Sequence, residues 1–147
     1  GRPRPLTAVM SAKGSLRLTF DGGSRGNPGP AYGSFRVRGA GAAEPLQKMR
    51  RLRFGRGTNN EAEYWTLVEG LRWTLEEVRR KRLAAADLEL SVQGDSLLVI
   101  RQLQGEWKAR DARMRELRDE AAALLLRFGK VRLQHRPRSR SVAEFGH

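Results

Sequence analysis

The stretch Leu16-Arg17-Leu18-Thr19-Phe20-Asp21-Gly22-Gly23-Ser24-Arg25-Gly26-Asn27-Pro28-Gly29-Pro30 changes character at Asp21. Before it, Leu16, Leu18 and Phe20 alternate with Arg17, Thr19 and Asp21, the period of a half-buried strand. After it, four Gly and two Pro between residues 22 and 30 predict a loop, because neither residue type sustains a strand or helix interior. A second strand is expected from about Tyr32, where Phe35 and Val37 alternate with Ser34, Arg36 and Arg38. A turn at residues 39–41 then leads to a third strand ending near Arg53. These three strands read as an antiparallel meander.

Beyond the meander the period changes. Thr58 or Asn59 can cap a helix in which Tyr64, Leu67, Val68, Leu71, Leu75 and Val78 follow helical spacing, ending near the basic cluster at residues 79–82. Leu88, Leu90 and Val92 then alternate with Glu89, Ser91 and Gln93 in a fourth strand that stops at Gly94 and Asp95. Ser96 can cap a short helix through Leu103. After Gly105 a long amphipathic helix carries Met114, Leu117, Ala121, Leu124, Leu125 and Phe128 on one stripe, and Val131 and Leu133 suggest a last strand. Three strands followed by helix, strand, helix, strand predict an α/β domain with a mixed five-stranded sheet flanked by helices. We expect residues 1–13 to be a flexible N-terminal tail and residues 14–147 a single domain, since 147 residues can bury one sizeable core.

Lys and Arg total 29 against 16 Asp and Glu, a net charge of +13, which points to a polyanionic partner, with nucleic acid the leading candidate. The absence of Cys excludes disulfides, zinc knuckles and thiol nucleophiles. No apolar run reaches the roughly 20 residues needed to span a bilayer, and the first 12 residues lack a signal-peptide core. The expectation is a cytoplasmic monomer with no membrane association and no obligate protein partner.

Two strand ends each present a carboxylate beside Gly or Ser, Asp21 and Asp95, both on the opposite parity from the apolar residues of their strands. A third, Glu63, lies near the start of the helix behind Thr58, Asn59 and Asn60. Singly, each has an ordinary explanation, since Asp ends strands and Glu in a first turn complements the helix dipole. Their surrounding words, in order, carry more. Asp21-Gly22-Gly23-Ser24-Arg25-Gly26-Asn27-Pro28-Gly29-Pro30, Thr58-Asn59-Asn60-Glu61-Ala62-Glu63-Tyr64 and Gly94-Asp95-Ser96 closely resemble the signature of the ribonuclease HI family, with the likeness running from about Leu16 to Pro137.

That resemblance implies a ribonuclease-H-like sheet of three antiparallel strands then two parallel ones. It also implies an endonuclease that hydrolyses the RNA strand of RNA/DNA hybrids, using two Mg²⁺ ions for which Mn²⁺ can substitute, and leaving 5′-phosphate and 3′-hydroxyl ends. Hard cations and oxygen ligands suit hydrolysis of a negatively charged phosphodiester. The implied catalytic and metal-binding residues are Asp21, Glu63 and Asp95. The implied substrate contacts are Gly22 and Gly23, leaving room for a sugar-phosphate backbone, Asn27 and Asn60 at the ribose, and Thr58 and Asn59 at a DNA phosphate by the helix N-terminus. Trp65, Trp73 and Trp107 read as core or edge packing, although Trp107 lies where the family often contacts the DNA strand.

The likeness thins at the end of the chain. The family continues into an Asn-x-x-Ala-Asp word and a closing helix, whereas this chain reads Ser141-Val142-Ala143-Glu144-Phe145. In register from His135, Phe145 takes the Asp place; a one-residue slip puts Ala143-Glu144 over Ala-Asp. Glu144 is therefore the candidate fourth metal ligand, opposed by an untethered-tail reading, and the closing helix is expected to be missing or very short. His135 falls where the family packs rather than catalyses, and His147 is tail. No basic helix follows Trp107, so hybrid affinity is sought at Arg136, Arg138 and Arg140. The alternative is a non-catalytic hybrid- or duplex-binding module with incomplete metal ligation; a related DNA recombination nuclease is a third reading.

Overall fold

The structure is a computed structural model that describes residues 13–146. Of the expected N-terminal tail, residues 1–12 lie outside the described residues, as does His147. Five strands form one sheet: β1 (Gly14–Ser24), β2 (Gly29–Gly41), β3 (Gln47–Gly57), β4 (Leu88–Gly94) and β5 (Lys130–His135), in the order β3-β2-β1-β4-β5. The β1–β2 and β2–β3 pairs are antiparallel and the β1–β4 and β4–β5 pairs parallel. This is the mixed sheet expected from the element order.

The helices are α1 (Asn59–Arg80), α2 (Leu97–Leu103), α3 (Ala112–Leu125) and α4 (Arg138–Phe145). Thr58, not Asn59, is the N-cap of α1. Its hydroxyl accepts from Glu61 N at 3.1 Å while Glu61 Oε1 accepts from Thr58 N at 3.0 Å, a reciprocal box that satisfies two otherwise orphaned donors. Leu16, Leu18 and Phe20 of β1, Phe35 and Val37 of β2, and Leu88, Leu90 and Val92 of β4 are buried against Tyr64, Leu67 and Leu71 of α1 and Leu117 and Ala121 of α3. Each such side chain contributes on the order of 1.5–3 kcal/mol on burial. Phe128, expected on the α3 stripe, lies three residues beyond its end yet remains in the core.

The opposite face of the sheet carries the alternate residues Arg17, Thr19 and Asp21 of β1. There α4 closes the fold, with Ser141 and Phe145 buried and Ala143 and Glu144 bordering a cavity of about 390 Å³ shared with Arg17, Thr19 and Arg36. The expectation of a very short closing helix holds, and the untethered-tail reading does not: a buried Phe145 at 1% exposure ties the segment down.

The predicted loop is shorter than its glycine content suggested, because β1 runs through Gly22 and Gly23 to Ser24 and β2 begins at Gly29. Gly22 persists in a strand because α1 crosses directly over it. A Cβ there would lie 2.6 Å from Ala62 O and 2.8 Å from Glu63 N, atoms that belong to helical backbone and cannot yield cheaply. Substitution Gly22→Ala is thus expected to cost about 2–4 kcal/mol of stability, measured by chemical denaturation, and a loss below 0.5 kcal/mol would show that α1 can shift freely.

Candidate active site

Parallel pairing of β1 with β4, in which Phe20 is the partner of Gly94, brings the next residue of each strand side by side at the same edge of the sheet. Those residues are Asp21 and Asp95. The approach of α1 to Gly22 delivers Glu63 to the same point, one turn into the helix. Ligand oxygens of Asp21, Glu63 and Asp95 all lie within 4.8 Å of one another. They are shielded as well as close: Asp21 is 3% and Glu63 7% exposed, and the Asp95 side chain 4%.

Three carboxylates in so small a dry volume oppose one another's ionisation. Burial, then the Asp95 charge, push Asp21 up from its ordinary value of 3.8 to about 7. Burial, then Asp21 and Asp95, raise Glu63 well above the usual carboxylate range, against a hydrogen bond donated by Gly22 N–H. Arg138 Nη1, 3.9 Å from Asp95 Oδ2, and the Arg136 guanidinium supply partial compensation. Even so, Glu63 Oε1 and Asp95 Oδ2 are buried without a hydrogen-bond partner. Carboxylate oxygens converging from three elements, two of them, Glu63 Oε1 and Asp95 Oδ2, without a hydrogen-bond partner, fit a hard divalent cation.

The sequence-predicted contacts around this centre fall into two groups. Ser24 N donates to Asn59 Oδ1 at 2.7 Å and Asn59 N donates to Asn27 Oδ1 at 2.9 Å, so the β1–β2 loop is laced to the start of α1. Asn27, Asn59 and Asn60 remain exposed, whereas Thr58 is engaged in its cap. The room left by Gly22 and Gly23 is filled by the protein itself, by the α1 backbone at Gly22 and by Tyr32 Oη, 2.7 Å from a Cβ placed at Gly23. The space a side chain would take at Gly22 and Gly23 is thus occupied by α1 and Tyr32.

Glu144 stands apart from the three. Its carboxylate accepts from Arg136 Nη1 at 2.7 Å and pairs with Arg36 Nε at 3.0 Å. Arg136, only 6% exposed, is a buried cation held by Glu144 and stacked over the Phe145 ring, not the nucleic-acid contact looked for in the sequence. Sequence reasoning had no signal for this pairing, because Arg36 lies 108 positions from Glu144 and only the β2 register places it under α4. His135 Nε2 lies 3.3 Å from Asp95 O at the β5 end. Trp65 and Trp73 pack against the core, as expected, while Trp107 is 44% exposed.

Residues 49–143 match the protein family described as reverse transcriptase-like. A ribonuclease HI of Halobacterium salinarum is 38% identical over 147 residues, covering 95% of this chain. The chain belongs to the ribonuclease HI family. A bifunctional protein of Mycobacterium tuberculosis is 38% identical over 126 residues, 85% of the chain. The chain spans 66% of the halobacterial relative's length and 32% of the mycobacterial one's. Among solved structures, the N-terminal RNase H domain of that mycobacterial protein superposes with TM-score 0.74 at 33% identity, covering 88% of this chain and 86% of that one. A ribonuclease H1 from compost, LC11-RNase H1, solved with an RNA/DNA hybrid, gives TM-score 0.73 at 28% identity over 87% of this chain and 89% of that one.

Two outcomes follow for this ribonuclease H domain. Between roughly pH 4 and 7 the folded chain holds a proton at Asp21 that the unfolded chain has lost, so stability of the metal-free protein declines as pH rises through that window. Asp21→Asn should accordingly raise the metal-free melting temperature at pH 7.5 by about 2–5 °C, the shift for roughly 1 kcal/mol in a domain this size, and an unchanged or lower value would refute the strained-cluster account. Glu144→Gln should lower stability by about 1–3 kcal/mol by weakening the compensation of buried Arg136 while leaving the Mg²⁺ concentration for half-maximal cleavage unchanged. A raised Mg²⁺ requirement at unaltered stability would restore Glu144 as a metal ligand.

Proposed function

We propose that this chain is an endonuclease that hydrolyses the RNA strand of RNA/DNA hybrids, with Asp21, Glu63 and Asp95 holding two Mg²⁺ ions. The observation that carries this reading is the buried cluster of three carboxylates, with Glu63 and Asp95 each keeping one oxygen without a hydrogen-bond partner, set in a family whose compost member has been solved on a hybrid. When bound, the cations neutralise phosphate charge and activate the attacking water, and Mn²⁺ accepts the same ligands. The products are 5′-phosphate and 3′-hydroxyl ends.

The chain's own contribution is positioning and exclusion. Asp21 lies in β1, Asp95 directly follows the end of the adjacent parallel strand β4, and Glu63 sits on a capped helix, so each ligand is anchored by a regular element. Exposed Asn27 and Asn60 beside the centre present amides to a ribose 2′-hydroxyl, the group that separates RNA from DNA. Asn59 stands at the α1 N-terminus, where backbone N–H groups favour a phosphate. The +13 net charge supplies affinity for the polyanion.

One observation favours a second reading, a hybrid-binding module with incomplete metal ligation: Glu144, the one carboxylate available to α4, is taken up by Arg36 and Arg136. Incubating labelled hybrid, duplex DNA and duplex RNA with and without Mg²⁺ separates the two. We expect Mg²⁺-dependent cutting of the hybrid's RNA strand. Asp21→Asn, Glu63→Gln and Asp95→Asn should each reduce turnover by about two orders of magnitude or more with hybrid binding largely retained. Binding without cleavage by the unaltered chain would favour the module instead.

A further inference from the structure

The same face of the sheet that carries Asp21 continues across two further strands. Asp21 is the register partner of Ser34, and Ser34 of Arg51; two residues along, on the same face, Gly23 is the partner of Tyr32, and Tyr32 of Arg53. Arg51 and Arg53 therefore stand two strand spacings, roughly 10 Å, from the carboxylate rows. With Arg25, Tyr32 and Ser34 they line an open cavity of about 370 Å³.

Tyr32 is fixed in that cavity from both sides. Its hydroxyl fills the space over Gly23, and the Arg25 guanidinium sits 5.7 Å from its ring centroid. The three arginines are exposed, and among the described residues none of them forms a salt bridge. The neighbouring basic cavity under α4 is different, since Glu144 pairs with two of its guanidiniums there. A row of uncompensated cations in line with the carboxylates is an arrangement for a chain of phosphates, not for solubility, which needs no alignment.

Resting on the hybrid-cleavage reading, we propose that Arg25, Arg51 and Arg53, ordered around Tyr32, form a backbone track for the cleaved strand. The track takes phosphodiesters a few nucleotides from the scissile one, since Arg51 and Arg53 stand only two strand spacings from the carboxylates. Its role is to hold and orient the strand as it leaves the carboxylates across β2 and β3, so it bears on KM and on substrate length, and the reacting atoms lie beyond its reach.

The test compares the unaltered chain with Arg51→Gln/Arg53→Gln, and uses Arg79→Gln/Arg82→Gln, equal in charge loss but at the far end of α1, as control. Hybrids of one sequence with a single cleavage position carry neutral methylphosphonates two to four nucleotides from it in the RNA strand, on one side or the other. We expect the β3 variant to raise KM about tenfold with kcat within about twofold, and to lower the magnitude of the slope of log binding constant against log salt by about two. The control should move neither. On one side only, neutral linkages should raise KM for the unaltered chain and add nothing for the β3 variant. Unchanged KM and slope in the β3 variant, or fully additive effects on both sides, would overturn the track while leaving the hydrolase reading intact. Failure of the unaltered chain to cut the unmodified hybrid would overturn both.

Discussion

The close approach of α1 to β1 at Gly22 is the constraint on which the centre depends. Without a side chain at residue 22, the backbone of Ala62 and Glu63 comes within contact of the strand, and Glu63 arrives beside Asp21 while its carboxylate accepts from the Gly22 N–H. The same approach brings Asn59 within reach of Ser24 and Asn27, so the loop, the helix start and the strand end form one hydrogen-bonded unit. A bulkier residue at this crossing would separate the ligands before it disturbed the rest of the core.

Placing three acidic groups in a shielded volume works against folding, and the surrounding structure offsets that cost. The hydrophobic faces of β1, β4 and α1 are buried on one side of the sheet, which fixes the strand ends regardless of the charges they carry. Arg136 and Arg138 stand near enough to relieve part of the repulsion without bonding the orphaned oxygens. What remains is a group of carboxylates close enough together to hold a metal ion, the condition in which metal binding stabilises the fold.

At the closing helix the chain departs from its family's pattern. Glu144 joins Arg36 of β2 to Arg136 beyond β5. The ion pairs of Glu144 and the buried Phe145 hold this eight-residue helix in place.

Much of this was legible along the chain. Alternation at residues 16–20 and 88–92, helical spacing from Tyr64 to Val78, and the cap at Thr58 are local consequences of period and backbone chemistry, so each element could be read from its own residues. Asp21, Glu63 and Asp95 were legible because each sits at an element end within a recognisable word. The extent of β1 through Gly22 and Gly23, the engagement of Glu144, the burial of Arg136 and the alignment of Arg51 and Arg53 with Asp21 were decided only by tertiary structure. Each of those depends on sheet register or on a helix crossing between residues far apart in sequence, and pairing across such distances is set by the summed packing of the core, which no local window contains.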